Sequence, residues 1–210
     1  MSTFASSSKK TIVFIGTYTS GGSSKGIYSY ELDLQNGALR QIGVAAESPN
    51  PSFLAIHPNK RFLYAVNELE GAKENGLITG FTIDAKTGKL TKINETTTGG
   101  PGPCHLSIDK TGKFVLAANY AGGSVCVAPI NTQGELGADS EFIQHTGSSV
   151  NKPRQNEPHA HSINLDAHNR FAIAADLGLD KLFVYRFDAK EGKLAPNDPP
   201  FTKISPGSGP

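Results

Sequence analysis

The sequence predicts an all-β chain folded as a β-propeller of four-stranded antiparallel blades. Three observations carry that prediction. A block at Pro51 (PSFLAIHPNKRFLYAVNE) returns 52 residues on at Pro103 (PCHLSIDKTGKFVLAANY), and 57 further on at Ala160 (AHSINLDAHNRFAIAADL). Self-similarity at such a spacing marks a repeat architecture. No segment carries a long helical pattern of apolar residues, and short apolar runs alternate with turn signals in a chain holding 23 glycines and 13 prolines.

The second unit defines the parts. Residues 52–57 read as a short apolar strand, a, closed by the turn His57-Pro58-Asn59-Lys60. Residues 62–67 (FLYAVN) form strand b, and 68–75 a polar loop. Residues 76–84 (GLITGFTID) alternate with period 2 and form strand c. Residues 85–89 make a hairpin turn in which Gly88 supplies positive φ, and Leu90 begins strand d. The c–d turn recurs as DLQNGAL ending at Leu39, NTQGEL at Leu136 and DAKEGKL at Leu194; strand b recurs at 12–17, 114–119 and 171–176. These b strands are apolar on both faces, so both faces should be covered, as in blades stacked around an axis. A sandwich, the alternative all-β architecture, would show stricter in/out alternation and no long repeat.

Four b–c–d sets are present but only three a strands, and GSGP ending at Pro210 matches GPGP ending at Pro103. The pattern therefore predicts a disordered segment over 1–10 and a partial propeller over 11–210. About four blades are expected, the first lacking its inner strand. Propellers close with about four to eight blades, so the chain reads as the N-terminal part of a longer protein. Uncovered end blades would favour self-association.

Net charge is +1, from 20 basic and 19 acidic residues, which leaves no electrostatic footprint for nucleic acid. Two cysteines, Cys104 and Cys126, make no disulfide framework and read as small buried hydrophobes. The apolar run 12–15 is too short for a signal peptide or a membrane span, so a soluble, cytoplasmic protein with no membrane partner is expected. No Walker loop, dinucleotide fingerprint or G-x-S-x-G elbow occurs, and no cofactor is expected.

Repeat phase places the chemistry. In an antiparallel a–b–c–d blade the d–a and b–c loops share one face, and strand a lines the central channel. That face collects Asn67-Glu68, Pro103-Cys104-His105, Asn119-Tyr120, 157–162 (EPHAHS) and Asp176. His159 and His161 lie two apart and should point the same way on a strand. A neutral imidazole there suits general-base work on water, and an H-x-H pair also suits a metal, although no third ligand is evident; loop anchoring is the structural alternative. His105 falls one repeat position later than His161, with the same two readings. Asn67, Asn119 and Asp176 end strand b in successive blades, with Glu68 one position on; they line the mouth or cap their strands. Arg154 and Lys152, in the longer insertion before the histidines, suit an anionic substrate or a solvated loop.

These segments resemble a known family. FIGTYT (14–19), GIYSYELD (26–33), NPSFLAIHPNKRFLYAVNE (50–68), GPCHLSIDKTGKFVLAANYAGGSV (102–125) and EPHAHSINLDAHNRFAIAADLGLDKLFVYRFD (157–188) are similar to the lactonase β-propellers. That family includes the propeller-type 6-phosphogluconolactonases and, distantly, the carboxy-muconate lactonising enzyme. The resemblance implies a seven-bladed propeller that hydrolyses a sugar lactone, 6-phosphogluconolactone above all, without an obligatory metal. It implies a catalytic histidine at His161, with Glu68, His105, Asn119, His159, Asp176 and Arg154 around the substrate. It places a partner arginine and glutamate beyond Pro210, so the chain alone is expected to be inactive. A muconate-type lactone-forming isomerase and a non-catalytic propeller scaffold are the alternatives.

Overall fold

Turn residues and two-sided apolar strands dictate four sheets set side by side. A computed structural model describes residues 11–69 and 76–210. The expected disorder of 1–10 and most of the expected 68–75 loop lie outside those residues. The first sheet has three strands, β1 (Thr11–Ile15), β2 (Gly26–Leu32) and β3 (Leu39–Glu47). The second runs β4 (Leu54–Ile56), β5 (Phe62–Asn67), β6 (Leu77–Ile83) and β7 (Leu90–Thr97). The third contains β8 (Pro103–Ile108), β9 (Phe114–Asn119), β10 (Ser124–Pro129) and β11 (Glu141–Gln144). The fourth contains β12 (Ala160–Leu165), β13 (Phe171–Asp176), β14 (Lys181–Asp188) and β15 (Lys193–Lys203). All pairings are antiparallel between consecutive strands, so this is a partial β-propeller whose first sheet has three strands among the described residues. No helix among the described residues is long and apolar enough to cross a membrane.

Three apolar layers hold neighbouring blades together. Ile27, Ala45, Leu63, Ala65 and Phe81 join blades one and two; Tyr64, Val66, Leu106, Val115 and Cys126 join two and three; Leu116, Val125, Ile163, Ala174 and Tyr185 join three and four. In β5 and β9 every residue is buried, because each strand has a blade on both sides. In β13 Ile173 is 41% exposed, and in β1 Ile15 is 37% exposed. Those strands belong to the end blades, where the two-sided burial expected of all b strands is only half realised.

The c–d hairpins form as expected: Gly88 has φ +71° and Gly192 +65°, and each amide donates back to the aspartate that opens the turn. Blade three departs from the expectation. Leu136 makes only an isolated bridge with Ile130, and strand d begins at Glu141. Gly137 N–H donates to Pro129 O and Ser140 N–H to Val127 O, so 137–140 loops out before the ladder resumes.

Candidate functional site

The inner strands β4, β8 and β12 stand side by side, and their N-terminal ends open on one mouth. At β8 and β12 the first residues do not follow the ladder. Pro103 pairs with Asn119 and His105 with Ala118, leaving Cys104 as a bulge; Ala160 pairs with Asp176 and Ser162 with Ala175, leaving His161 as a bulge. Bulges turn a side chain out of the alternation and recur beside functional sites. Ser52, by repeat alignment, holds the same position in blade two. The residue immediately after strand b forms a second series: Tyr18, Glu68 and Tyr120.

Those two series, with Arg154, line a cavity of about 380 Å³: Tyr18, Ser52, Glu68, Cys104, Tyr120, Arg154 and His161. Tyr18 O–H donates to Glu68 Oε2 at 2.8 Å. That bond, with burial and the Glu68 charge, pushes the Tyr18 phenol up to about 12, so it stays protonated. The Cys104 thiol donates to the carbonyls of Ala160 (3.8 Å) and His161 (3.4 Å), tying β8 to the β12 bulge. Burial, with the Glu68 charge, pushes this thiol up to about 12. A protonated thiol is a poor nucleophile, which removes cysteine from the candidate attacking groups.

Tyr120 organises the other wall. Arg154 Nη2 donates to its hydroxyl at 3.2 Å. The His159 ring stacks on it (centroids 4.6 Å, 17° between planes), and His161 meets it edge-on (5.7 Å, 81°). His159 Nδ1 lies 3.0 Å from Tyr120 O, and a carbonyl only accepts, so Nδ1 carries the proton. The His161 side chain is exposed, and no hydrogen bond to either ring nitrogen occurs among the described residues. His161 is thus an imidazole presented to a cavity that Glu68 and Arg154 also line.

Arg154 owes its place to a pinned loop. Gln155, 2% exposed, accepts from Asn151 N–H and donates from Nε2 to Leu177 O and Asp180 Oδ1 (2.8 Å each). Asp180 also accepts from Ser149 Oγ and from the amides of Gly207 and Gly209. The histidine segment is pinned as closely. A Cβ on Gly178 would come 1.9 Å from Glu157 O and 2.9 Å from His159 N, so only glycine lets that segment approach.

Of the expected site residues, the structure brings Glu68, Arg154 and His161 together in the cavity. His159 is half-buried beneath Tyr120 rather than parallel to His161, because the bulge breaks the expected alternation. His105 lies against Phe53 with the rings tilted (centroids 4.3 Å, 38° between planes), its Nδ1 accepting from Ile163 N–H. Asn119 and Asp176 are corrected: both are 0% exposed and lie inside the blades beneath the mouth. Asn119 Nδ2 donates to Thr98 O and Ser124 Oγ, and Asp176 accepts from the His159 and Leu179 amides and from His145. Period-2 alternation explains the error, since the last residue of strand b points into the blade and the next one points out. Tyr18 and Ser52 were missed as lining residues, and Cys104 and Tyr120 were placed on this face without a role. Aligning each repeat position with His161 and with Glu68 would have found them. Among the described residues no group of three His, Cys, Asp or Glu is placed to hold a metal.

A larger groove of about 850 Å³ lies at the opposite end of the last blade, lined by Asn169, Arg170, Arg186, Asp188, Lys190 and Lys193 among others. It is basic but carries no histidine or unpaired hydroxyl.

His105 has a consequence for stability. Burial, helped by the nearby His161 ring, pushes its imidazole from 6.5 down to about 4. Below pH 6.5 the unfolded chain therefore binds a proton that the folded chain refuses, and stability falls as pH drops towards 4. Discounted for part exposure, the loss at about pH 5 is on the order of 1–2 kcal/mol. Urea midpoints for the parent and His105→Phe at about pH 7 and about pH 5 test this. The variant should lose less stability on acidification, and an equal loss would contradict the assignment.

Comparison with known proteins places these features. A family profile described as "Lactonase, 7-bladed beta-propeller" matches residues 12–210. The chain is 38% identical over 201 residues to a 6-phosphogluconolactonase of Bacillus subtilis, covering 96% of this chain and 55% of that protein. It is 32% identical over 200 residues to a 6-phosphogluconolactonase of Formosa agariphila, covering 94% and 56%. Among solved structures, a periplasmic gluconolactonase of Pseudomonas aeruginosa superposes with a TM-score of 0.87 at 34% identity, covering 96% of this chain and 57% of that one. The chain spans about half the length of the curated relatives it matches.

Proposed function

The chain belongs to the seven-bladed β-propeller lactonase family, and from that premise we propose that it carries the histidine half of a sugar-lactone hydrolase site. The observation that supports this most is the bulge at His161, which presents an imidazole with no hydrogen bond among the described residues to a polar cavity lined by Glu68 and Arg154. In the proposed reaction His161 accepts a proton from water as the oxygen attacks the lactone carbonyl. The resulting tetrahedral oxyanion collapses, the ring C–O bond breaks, and the imidazolium returns its proton to the leaving alkoxide. The product acid then loses a proton to solvent. Glu68, locked by Tyr18, accepts hydrogen bonds from sugar hydroxyls.

We assign the finer substrate as 6-phosphogluconolactone, with Arg154 meeting the phosphate. Relatives named for the phosphorylated and the unphosphorylated lactone both occur, and Arg154 is the guanidinium lining this cavity. An Arg–phosphate contact is worth about 1.5–3 kcal/mol, or roughly 10- to 100-fold in KM. Proton release on hydrolysis of 6-phosphogluconolactone and of gluconolactone, by a full-length propeller carrying this chain and by its Arg154→Gln variant, tests the assignment. The substitution should raise KM for the phosphorylated lactone alone. Equal effects on both lactones would overturn Arg154 as the phosphate ligand, and no hydrolysis by the chain within a full-length propeller would overturn the lactonase reading. The chain alone, with its cavity walled on one side by four blades, is expected to turn over slowly or not at all.

A further inference from the structure

Blade four breaks a rule that blades two and three obey, and it does so beside His161. In blades two and three the buried residue ending strand b is an asparagine, and its side chain serves its own sheet and the preceding strand. Asn67 Nδ2 donates to Ser48 Oγ and Pro49 O, and Asn119 Nδ2 donates to Thr98 O and Ser124 Oγ. Ser48, Thr98 and His145 are equivalent, each donating its amide to the carbonyl at the start of the adjoining strand c (Lys25, Gly76 and Gly123). In blade four the pair is instead an acid and an imidazole, Asp176 and His145, 0% and 4% exposed.

Each polar atom of that pair has a partner. His145 Nδ1–H donates to Asp176 Oδ2 at 2.6 Å, and Tyr185 O–H donates to His145 Nε2 at 2.8 Å. Burial and the Asp176 charge push the Tyr185 phenol up, which keeps its proton available for that bond. The imidazole also stacks on Phe183 at 4.1 Å. Asp176 Oδ1 accepts from His159 N–H (2.9 Å) and Leu179 N–H (3.1 Å), while Leu177 N–H donates to His159 O (2.9 Å). In blade three the corresponding residue, Gly102, gives its amide to a backbone carbonyl, Leu69 O. Only a carboxylate accepts on both oxygens at once. An asparagine at 176 would offer a donor to one of these donors.

We propose that His145 and Asp176 are positioning residues for His161. His145 fixes the Asp176 carboxylate, the carboxylate fixes the backbone of His159, and that anchor sets the bulge two residues later. Neither side chain reaches the cavity, so their effect on it passes through the backbone. The functional meaning of the proposal rests on the lactonase reading; the placement itself does not.

Nuclear magnetic resonance of the histidine rings tests it on the chain as it stands. The signature is the His161 ring-proton shift and its Overhauser contact with Tyr120. His145→Gln reaches Tyr185 but loses the donor to Asp176; His145→Asn keeps a donor at the Nδ1 position and loses Tyr185. Both remove one buried hydrogen bond, so a merely structural role predicts equal effects. The proposal expects the Gln variant to shift the His161 signal and lose the contact, with the Asn variant retaining both. Unmoved His161 signals in the Gln variant, or equal movement in both, overturn it. If the Gln variant does not fold, Asp176→Asn, the residue that blades two and three carry, replaces it and should shift His161; an unshifted signal there overturns the proposal. Lactone hydrolysis by a full-length propeller carrying this chain, assayed in parallel, bears on the lactonase reading and leaves this comparison standing.

Discussion

His161→Ala is expected to lower lactone hydrolysis by about 10²- to 10⁴-fold in the protein that carries this chain. The imidazole is exposed on a bulge and makes no hydrogen bond to the described residues, so its removal should cost the fold within about 0.5 kcal/mol. The loss should fall on kcat, because a proton acceptor works in the transition state. Initial rates of proton release, with urea unfolding as the control, separate the two effects. His159→Ala is the contrast: its ring is stacked on Tyr120 and bonded to a carbonyl, so it should cost stability and loosen Tyr120 with a smaller fall in rate. An undiminished rate in His161→Ala would remove the base from the mechanism.

The second large effect is structural. Asp180, 3% exposed, gathers four donors from two segments: Ser149 Oγ and Gln155 Nε2 of the 149–155 loop, and the amides of Gly207 and Gly209. Asp180→Ala leaves several of them buried without an acceptor, at about 1–3 kcal/mol for each unmet group and about 3–5 kcal/mol in all. The same loss frees the 149–155 loop, so Arg154 should lose its place against Tyr120 and KM should rise alongside the fall in stability. Burial opposes ionisation of Asp180, but its hydrogen bonds outweigh burial and hold the carboxyl at about 2, against an ordinary 3.8. Its contribution is therefore complete above about pH 4 and disappears as pH falls from about 4 to about 2. The stability gap between the parent and Asp180→Ala should narrow across that window. A variant as stable as the parent at neutral pH would contradict the clasp.

The repeat carried most of the fold. Matching PSFLAIHP with PCHLSIDK and AHSINLD placed strands a and b within a residue or two, because local turn chemistry and two-sided burial act within a few residues. Blade three was harder: NTQGEL marks its turn correctly, yet the loop at 137–140 postpones strand d to Glu141, and that depends on bonds to Pro129 and Val127 across the hairpin. Repeat phase put Glu68 and His161 on the face that carries the cavity, but Asn119 and Asp176 each fall one position short of it. Asn119 and Asp176 are the last ladder residues and face into their blades; Tyr120 and Glu68, one later, face out. The bulges at Cys104 and His161 were equally invisible, since an extra residue in a ladder shows only when its partner strand is known. The acid clasp of Asp180 joins segments far apart in sequence, and no local signal announces it.

We propose that the sugar acid binds at the mouth rather than in the larger basic groove. A crystal of the chain soaked with 6-phosphogluconate decides between them. The expected density lies between His161, Glu68 and Arg154, with the phosphate against the guanidinium. Density confined to the groove of Arg170, Arg186, Lys190 and Lys193, with the mouth unoccupied, would contradict it.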